Sequence, residues 1–279
     1  MKTRITVLCD NIVGLKSPLL GEHGLAMLIE RGTETYLFDT GQGQTLFHNA
    51  ISLGKDLRKV KKIFLSHGHY DHTGGLEKIL NLKDRKDIWV HPYAFLPRFS
   101  GAQGSKISLR EIGMGYTKVQ LEEMGSEVHL IDSFQEVGEG IYLTGEIPRT
   151  NAFEKRDKNL RIKMNGKLVQ DDCRDDQSLV IESSKGLIIL LGCAHSGLIN
   201  TLTHVQREMG RKKIFSIMGG THLDSCDEVQ LKETLQCLQN TPFEKLGVSH
   251  CTGLRALHHF WNSLQEKVFV AHTGVALEI

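Results

Sequence analysis

Residues 66–75 carry four potential metal ligands within a short stretch that reads SHGHYDHTGG. His67 and His69 are two residues apart, so an extended backbone directs both imidazoles to the same side. Asp71 and His72 follow at once, where the glycines that come next favour a turn. Imidazole and carboxylate groups are natural ligands for zinc, and they also bind iron and manganese. The segment therefore predicts a site for two divalent metal ions, with zinc preferred and iron or manganese as alternatives.

The other candidate ligands and proton carriers stand where predicted strands end. They are Asp39, Glu146, Cys193, His195, His222, His250 and His272. Since active sites in α/β folds gather at the C-terminal ends of strands, these side chains are expected to line one pocket together with residues 66–75. The chain also has 14 histidines in 279 residues, a high proportion that favours metal binding.

The elements that would position these residues alternate between short apolar runs and longer amphipathic segments, which is typical of an α/β protein. The predicted strands are Ile5–Cys9, Ala26–Glu30, Thr35–Asp39, Lys62–Ser66, Asp87–His91, Gly140–Thr144, Ser178–Glu182, Leu187–Gly192, Ile214–Met218, Leu246–Ser249 and Val268–Ala271. The predicted helices are Gly43–Leu53, Leu76–Leu82, Leu109–Glu123, Gly197–Met209, Cys226–Gln239 and Thr252–Glu266.

The whole chain, 1–279, is predicted to form a single domain. Residues 93–140 are expected to form a lid or an insertion, because their first part is small and polar and shows no periodicity. A second irregular stretch, 149–176, contains Asn165 and Gly166, a pair that favours a tight hairpin turn.

Composition limits the partners that the protein is expected to have. The formal net charge is +1, with 40% hydrophobic and 24% charged residues, so neither a nucleic-acid nor a membrane surface is predicted. The apolar stretches are too short for a signal peptide or a membrane span, which predicts a cytoplasmic protein. Six cysteines without a C-x-x-C pair indicate free thiols. A small-molecule substrate is therefore expected, and nothing in the sequence indicates an oligomeric state.

The motif His-x-His-x-Asp-His after a strand resembles the signature of the metallo-β-lactamase superfamily. Asp39, within the sequence FDTG, is similar to the first motif of that superfamily. The resemblance implies an αββα sandwich, in which two mixed β-sheets are flanked by helices and metals lie at one edge. It also implies that His67 and His69 hold a first metal, that Asp71 and His72 hold a second, and that Asp39 orients the site.

Further motifs are similar to one branch of that superfamily. They are EHGL at 22–25, TGEIPR at 144–149, DDQ at 175–177, GCAH at 192–195, GGTHL at 219–223 and HCTG at 250–253. Members are usually described as metal-dependent hydrolases, so the resemblance implies a metal-bound hydroxide that attacks an ester, a lactone or a phosphoester. The branch also includes an archaeal dihydropterin–ribofuranosylaminobenzene phosphate synthase, so a C–N bond-forming transferase of pterin cofactor synthesis is the alternative.

The remaining ligands depart from the usual family pattern. Members usually carry a histidine in a third motif and a bridging aspartate in Gly-Asp-Thr, whereas this chain has Gly-Cys-Ala-His at 192–195. His195 is predicted to be a metal ligand. Cys193 is a candidate to replace the bridging carboxylate, and Glu146 is a candidate for the third-motif position.

His222 and His250 are also predicted ligands, because each follows a strand and His250 is similar to the last histidine of the family. His222 or Asp71 is expected to move the proton during the reaction.

Three further residues are expected around the metals. Asp176 and His23 are candidates to orient ligands or line the pocket. Arg149 is a candidate to bind a phosphate or carboxylate of the substrate, because a guanidinium matches both groups.

Two other interpretations stay open. A di-iron redox protein is one, although relatives with that chemistry carry a carboxylate where this chain has His69, and they also carry a flavin domain. A non-catalytic metal-binding protein is the other, and the complete histidine motif favours an enzyme over it.

Overall fold

Two large mixed β-sheets face each other, with helices on their outer faces, in a computed structural model that describes residues 1–15, 17–82, 84–101 and 109–279. The described strands are β1 (Thr3–Cys9), β2 (Ala26–Arg31), β3 (Glu34–Phe38), β4 (Val60–Phe64), β5 (Asp87–Val90), β6 (Arg98–Ser100), β7 (Arg110–Glu111), β8 (Glu127–Leu130), β9 (Gln135–Gly138), β10 (Ile141–Leu143), β11 (Leu160–Met164), β12 (Lys167–Gln170), β13 (Leu179–Ser183), β14 (Gly186–Leu191), β15 (Ile214–Gly219), β16 (Phe243–Val248), β17 (Val268–Val270) and β18 (Ala276–Glu278). The described α-helices are α1 (Leu46–Ser52), α2 (Tyr70–Thr73), α3 (Leu76–Leu80), α4 (Lys118–Glu123), α5 (Leu198–Glu208), α6 (Glu228–Asn240) and α7 (Gly253–Leu264).

The first sheet has the order β18-β1-β2-β3-β4-β5-β8, and the second has the order β17-β16-β15-β14-β13-β10-β9. Buried side chains of both sheets, among them Phe38, Phe64, Leu190 and Met218, pack against one another between them. The outer face of the first sheet is covered through residues of α1, α3 and α4, and that of the second through residues of α5, α6 and α7. The predicted αββα sandwich is confirmed.

The parallel strands of both sheets determine where the candidate site residues lie. Strands β3, β4, β5 and β8 run parallel to one another, and so do β14, β15, β16 and β17. The C-terminal ends of parallel strands meet at one edge of a sheet. The loops after β3, β4, β14, β15 and β16 carry Asp39, the motif residues 67–72, Cys193, His195, His222 and His250.

A third, four-stranded sheet has the order β12-β11-β6-β7. Its β11–β12 hairpin turns at Asn165 and Gly166, whose φ angles of 50° and 76° suit a two-residue turn in which both residues are left-handed. The hairpin expected at this pair is therefore confirmed. Within the expected lid, 93–140, strands β6 and β7 belong to this small sheet, whereas β8 and β9 belong to the two large ones. Residues 102–108 of that segment lie outside the described residues.

The helix expected over Leu109–Glu123 is wrong in its first half. Arg110–Glu111 forms β7, and the helix begins only at Lys118, after a capping box between Thr117 and Gln120. Gly115 has a φ of 78°, a left-handed conformation that interrupts a helix.

No helix of the described ranges combines the length and the apolar character that crossing a bilayer requires.

Arg98 ties the small sheet to the rest of the molecule. Its side chain is fully buried and pairs with Asp171 and Asp175. Asp175 also accepts a hydrogen bond of 2.8 Å from the backbone N–H of Gly68, within the histidine motif. The small sheet and the motif are therefore joined through one buried cation.

We expect Arg98→Met to lower the free energy of unfolding by about 3–5 kcal/mol, because two buried carboxylates lose their partner. Urea denaturation monitored by circular dichroism measures the change. Arg58→Met is the control, since Arg58 pairs with Asp56 at the surface, and its unfolding midpoint should stay nearly unchanged. Equal unfolding midpoints for the two variants would contradict the prediction that the buried ion pairs of Arg98 stabilise the fold.

Candidate metal centre

The segment 66–73 leaves β4 and turns into the short helix α2, and we call it the metal loop. His67, His69, Asp71 and His72 are all at most 6% exposed. The backbone N–H of Tyr70 donates to the carbonyl of Ile112 in the strand-like segment after β7, at 2.9 Å. The loop is thus held on one side by β4 and on the other by the small sheet.

His67, His69 and His195 form the first group of candidate ligands. Their ring nitrogens lie within 4.8 Å of one another. His67 Nε2 is 2.9 Å from His69 Nδ1, and His195 Nε2 is 3.2 Å from the same atom. Three nitrogens that converge in this way can bind one cation in the manner of a three-histidine site.

Asp71, His72 and His250 form the second group. His72 Nε2 is 3.2 Å from His250 Nε2, and Asp71 Oδ2 lies 3.4 Å from the latter and 3.7 Å from the former. A carboxylate and two imidazoles at these separations suit a second cation.

Hydrogen bonds on the outer ring nitrogens orient three of these imidazoles. His72 Nδ1 donates to Asp39 Oδ2 at 2.6 Å, and His250 Nδ1 donates to Asn11 Oδ1 at 3.0 Å. Ser66 Oγ donates to Asp39 Oδ2 at 2.7 Å, so it accepts from His67 Nδ1 at 2.8 Å. In each ring a proton is then on Nδ1, and Nε2 points into the site, where a neutral ring presents its lone pair.

Two observations test whether a metal pair fits. His69 Nε2 and His195 Nδ1 are buried without a hydrogen-bond partner among the described residues, and His195 and His69 face each other through their other nitrogens. The single N–H of a neutral His69 ring can serve only one of the two nitrogens that approach its Nδ1, whereas a cation between the three rings can bind a lone pair from each. The donor set therefore fits two divalent ions, which His67, His69 and His195 would hold on one side and Asp71, His72 and His250 on the other.

The protonation states of the first group agree with this arrangement. Burial, reinforced by neighbouring positive groups, lowers the pKa of His67 and His195 well below the usual value and that of His69 to about 3. These imidazoles are neutral, as ligands must be. In the second group, burial opposes the charged form of His72, but Asp39 and Asp71 outweigh it and raise its pKa to about 9, so a cation bound there would have to displace the proton on Nε2 of this ring.

His222 lies beside the first group. Its ring centroid is 4.2 Å from that of His195, and its Nε2 is 3.5 Å from Asp157 Oδ2. Burial opposes the charged ring, but the hydrogen bond to Asp157 and the nearby Cys251 raise the pKa of His222 to about 10. His222 is absent from the groups of convergent ligand atoms found among the described residues.

Several site residues have a left-handed backbone that side chains other than glycine rarely adopt. The φ angles are 59° at Asp39, 54° at Ala194, 51° at His222 and 52° at His250. Such conformations cost of order 1–3 kcal/mol each and persist where the surroundings impose them. All four residues follow a strand of the sandwich: three are candidate site residues themselves, and Ala194 directly precedes His195.

A cavity of about 230 Å³ opens above the candidate ligands. Tyr70, Arg110, Ile112 and Leu160 line it on the side of the small sheet, and His23 lines it opposite. His23 Nε2 is 3.2 Å from Asp71 Oδ2. The predicted pocket residue His23 therefore contacts a candidate ligand directly.

The other predicted site residues lie farther out. Asp176 Oδ2 accepts the backbone N–H of Ser196 at 2.8 Å, and burial raises its pKa to about 6. Arg149 Nη2 donates to the carbonyl of His195 at 2.7 Å. Glu146 forms an ion pair of 2.8 Å with Arg174.

Cys193, His195 and Cys251 occupy the floor of the same cavity. Cys193 Sγ is 3.2 Å from His72 Nε2. His272, at the end of β17, instead contacts the carbonyl of Thr273 and is not among the cavity residues.

Sequence reasoning missed Asn11, Ser66 and Asp157 as partners of the site histidines. Asn11 follows β1 as the predicted residues follow their strands, so its position after an apolar run was an available signal. Asp157 lies in an irregular stretch, and only the folded chain brings it to His222.

The comparisons with known proteins agree with this geometry. A family model of the metallo-beta-lactamase superfamily matches residues 20–145. The 7,8-dihydropterin-6-methyl-4-(beta-D-ribofuranosyl)-aminobenzene-5'-phosphate synthase of Methanocaldococcus jannaschii is 30% identical over 280 residues, which cover 97% of this chain and 95% of the relative. An uncharacterized protein of the same organism is 30% identical over 257 residues, which cover 91% and 92%. The crystal structure of a metal-dependent hydrolase of the beta-lactamase superfamily has a TM-score of 0.85 and 28% identity, with 99% of both chains covered.

The chain belongs to the metallo-β-lactamase superfamily, whose metal-dependent enzymes share its αββα fold. The family resemblance inferred from the histidine motif is confirmed.

We expect Asp39→Ala to lower the affinity for zinc about 10- to 100-fold, because His72 and Ser66 lose the carboxylate that orients them. Competition with a chromophoric chelator measures the affinity. Asp56→Ala removes a surface carboxylate remote from the cavity and serves as the control. Equal affinities for the two variants would mean that Asp39 does not orient the ligands.

Proposed function

We propose that the protein is a dinuclear metal-dependent hydrolase that acts on an ester, a lactone or a phosphoester. One observation supports this most directly: two groups of candidate ligands, one of three histidines and one with a carboxylate, meet at the floor of a single cavity. When bound there, a pair of divalent cations activates water as a nucleophile and stabilises the negative charge that develops on the substrate. Zinc is the ion proposed first, with iron and manganese as alternatives.

The chain supplies groups that can move protons on both sides of the cavity. Asp71 remains ionised, because His72, His23 and His250 outweigh burial and lower the pKa of its carboxyl group. Its Oδ2 can accept a proton from water and share it with His23, 3.2 Å away. On the other side, His222 Nε2 lies 3.5 Å from Asp157 Oδ2, a partner that favours the protonated ring, and in that form His222 can donate a proton to a leaving-group oxygen.

The wall formed by the small sheet suggests the kind of substrate. Arg110 Nη2 donates to Tyr70 Oη at 2.9 Å, and its guanidinium lies 4.9 Å from the centre of the Tyr70 ring. Within the described ranges Arg110 forms no ion pair with a carboxylate, so it is available for a phosphate or carboxylate of the substrate. Ile112 and Leu160 add an apolar surface beside it. We propose a small anionic substrate with an apolar portion.

Arg149 was predicted to bind substrate. Its hydrogen bond to the carbonyl of His195 suggests that it also positions the loop that carries this candidate ligand. Its Nη1 also donates to the carbonyls of Glu154 and Ser196 at 3.3 Å, so Arg149 holds the His195 loop while its side chain lines a second cavity with Arg174.

We further propose that the enzyme acts in the cytoplasm, on a small molecule, without a nucleic-acid or membrane partner. The near-neutral charge of the chain is the basis for this part of the proposal.

The second candidate function is a C–N bond-forming transferase of pterin cofactor synthesis. It is favoured by the 30% identity over nearly the full length with the synthase from Methanocaldococcus jannaschii. Tyr70 also offers a ring on which a planar pterin can stack inside the cavity. In that reaction the arylamine nitrogen, rather than water, is the nucleophile. A C–N bond to the pterin forms, the C–O bond to pyrophosphate breaks, and pyrophosphate and a proton leave.

The two functions are separated by a direct assay. Metal-free protein is reloaded with zinc, manganese or ferrous iron and offered a panel of esters, lactones and phosphoesters. A parallel reaction contains a dihydropterin pyrophosphate and several arylamines. Metal-dependent hydrolysis supports the hydrolase; a pterin–arylamine adduct supports the transferase and replaces the first proposal. Protein that binds metal and is inert in both arms contradicts both functions.

We expect His222→Gln to lower kcat by about 10²- to 10⁴-fold while the bound metal stays unchanged, because a proton donor is lost and the ligand groups remain. Steady-state kinetics and elemental analysis measure the two quantities. His258→Gln, on α7, is the matched control and should behave as the wild type. Loss of metal together with activity would instead make His222 a ligand, as the sequence also suggested.

A further inference from the structure

Cys193 occupies the point where the two ligand groups meet. Its side chain is buried, with 3% of the residue exposed. Its Sγ lies within 4.8 Å of ligand atoms of His67 and His72, and it belongs to a second such group with His250 and Cys251. The sulfur therefore contacts candidate ligands of the first and of the second cation.

The distance from Cys193 Sγ to His72 Nε2 is 3.2 Å. Two ligands of one tetrahedral zinc ion, at the usual bond lengths, are separated by roughly 3.5 Å. The thiol is thus placed at a ligand-to-ligand distance from a candidate ligand, without any rearrangement of the backbone.

Close packing holds the sulfur there. A Cβ on Gly192, the residue before it, would lie 2.1 Å from Ser66 Oγ, and a Cβ on Gly220 would lie 2.7 Å from Cys251 Sγ. The backbone N–H of Gly220 donates to the carbonyl of Gly192 at 3.1 Å. The loop after β14 is therefore pressed between the metal loop and the loop after β15, which leaves the Cys193 side chain little freedom.

Cys251, the other thiol in the cavity, is engaged with the backbone. Its Sγ accepts the N–H of His222 at 3.3 Å and donates towards the carbonyl of Cys193 at 3.6 Å. Cys251 Sγ also lies within 4.8 Å of ligand atoms of His250 and Cys193, but unlike Cys193 it is not grouped with His67 or His72, so it does not lie between the two ligand groups.

We propose that Cys193 binds the metal pair as a bridging thiolate, in the place where superfamily members usually carry a bridging aspartate. The inference rests on the dinuclear site of the proposed function. On binding, the S–H bond breaks, the proton leaves to solvent, and two lone pairs of the sulfur bond to the two cations. A soft bridging ligand favours zinc, cobalt and cadmium over manganese and magnesium.

Cobalt(II) supplies a direct readout, because a thiolate bound to it gives a sulfur-to-metal charge-transfer band in the near ultraviolet. The band is recorded for the cobalt-loaded wild type and for Cys193→Ser, Cys251→Ser and Cys173→Ser. Cys173 is a buried thiol outside the cavity and is the matched control. We expect the band to disappear only in Cys193→Ser. A band that survives in Cys193→Ser, or that is lost in Cys251→Ser alone, overturns the assignment.

X-ray absorption on the zinc-loaded wild type needs no variant and guards against misfolding of Cys193→Ser. A sulfur neighbour at about 2.3 Å from zinc is expected, and a shell of nitrogen and oxygen alone overturns the proposal. Metal bound without sulfur contradicts this inference but leaves the dinuclear enzyme intact, whereas failure to bind any divalent ion contradicts the proposed function itself.

Cys193→Asp restores the family's usual bridging group and tests the metal preference. We expect its ratio of zinc to manganese affinity to fall at least about tenfold relative to the wild type, because a carboxylate is the harder ligand. An unchanged ratio in a variant that still binds zinc would contradict the bridging role.

Discussion

The orientation of imidazole rings by buried oxygen atoms is the constraint on which the site depends. Asp39 holds Ser66 and His72 directly, and it holds His67 through Ser66. Without these bonds each ring could turn, or carry its proton on the nitrogen that faces the cavity, and a cation would meet N–H groups instead of lone pairs. The rest of the fold brings these oxygens and rings to one place: β3 ends before Asp39, and β4 ends before the metal loop, as parallel neighbours.

The sandwich explains why ligands so distant in sequence converge. The metal loop and Asp39 come from the first sheet, whereas His195, His222 and His250 come from the second. The buried layer between the sheets fixes their separation, since a close-packed core transmits position with little slack. The candidate metal site therefore spans both sheets, and the distances between its ligands depend on how closely the core between the sheets is packed.

Much of the architecture follows from sequence patterns with a clear physical origin. Apolar runs of strand length identify the central strands, and the histidine spacing identifies the metal loop, because both patterns are local. The small sheet was harder to find, since β12 is exposed throughout and β7 has only two residues. The pairing of His222 with Asp157 and of His250 with Asn11 depends on contacts between distant segments, which no local pattern encodes. The left-handed turns at Asp39 and His250 were likewise hidden, because their residue types do not demand that conformation.

The small sheet places recognition and chemistry on different parts of the chain. Its strands and the segment after β7 supply Arg110, Ile112 and Leu160 to the cavity, while the candidate metal ligands come from the sandwich. The ion pair between Arg98 and Asp175, together with the hydrogen bond from Gly68 to Asp175, connects the two parts. Exposed residues of the small sheet can therefore change among related proteins and alter substrate selectivity. The candidate metal ligands would keep their positions as long as the Arg98–Asp175 ion pair is retained.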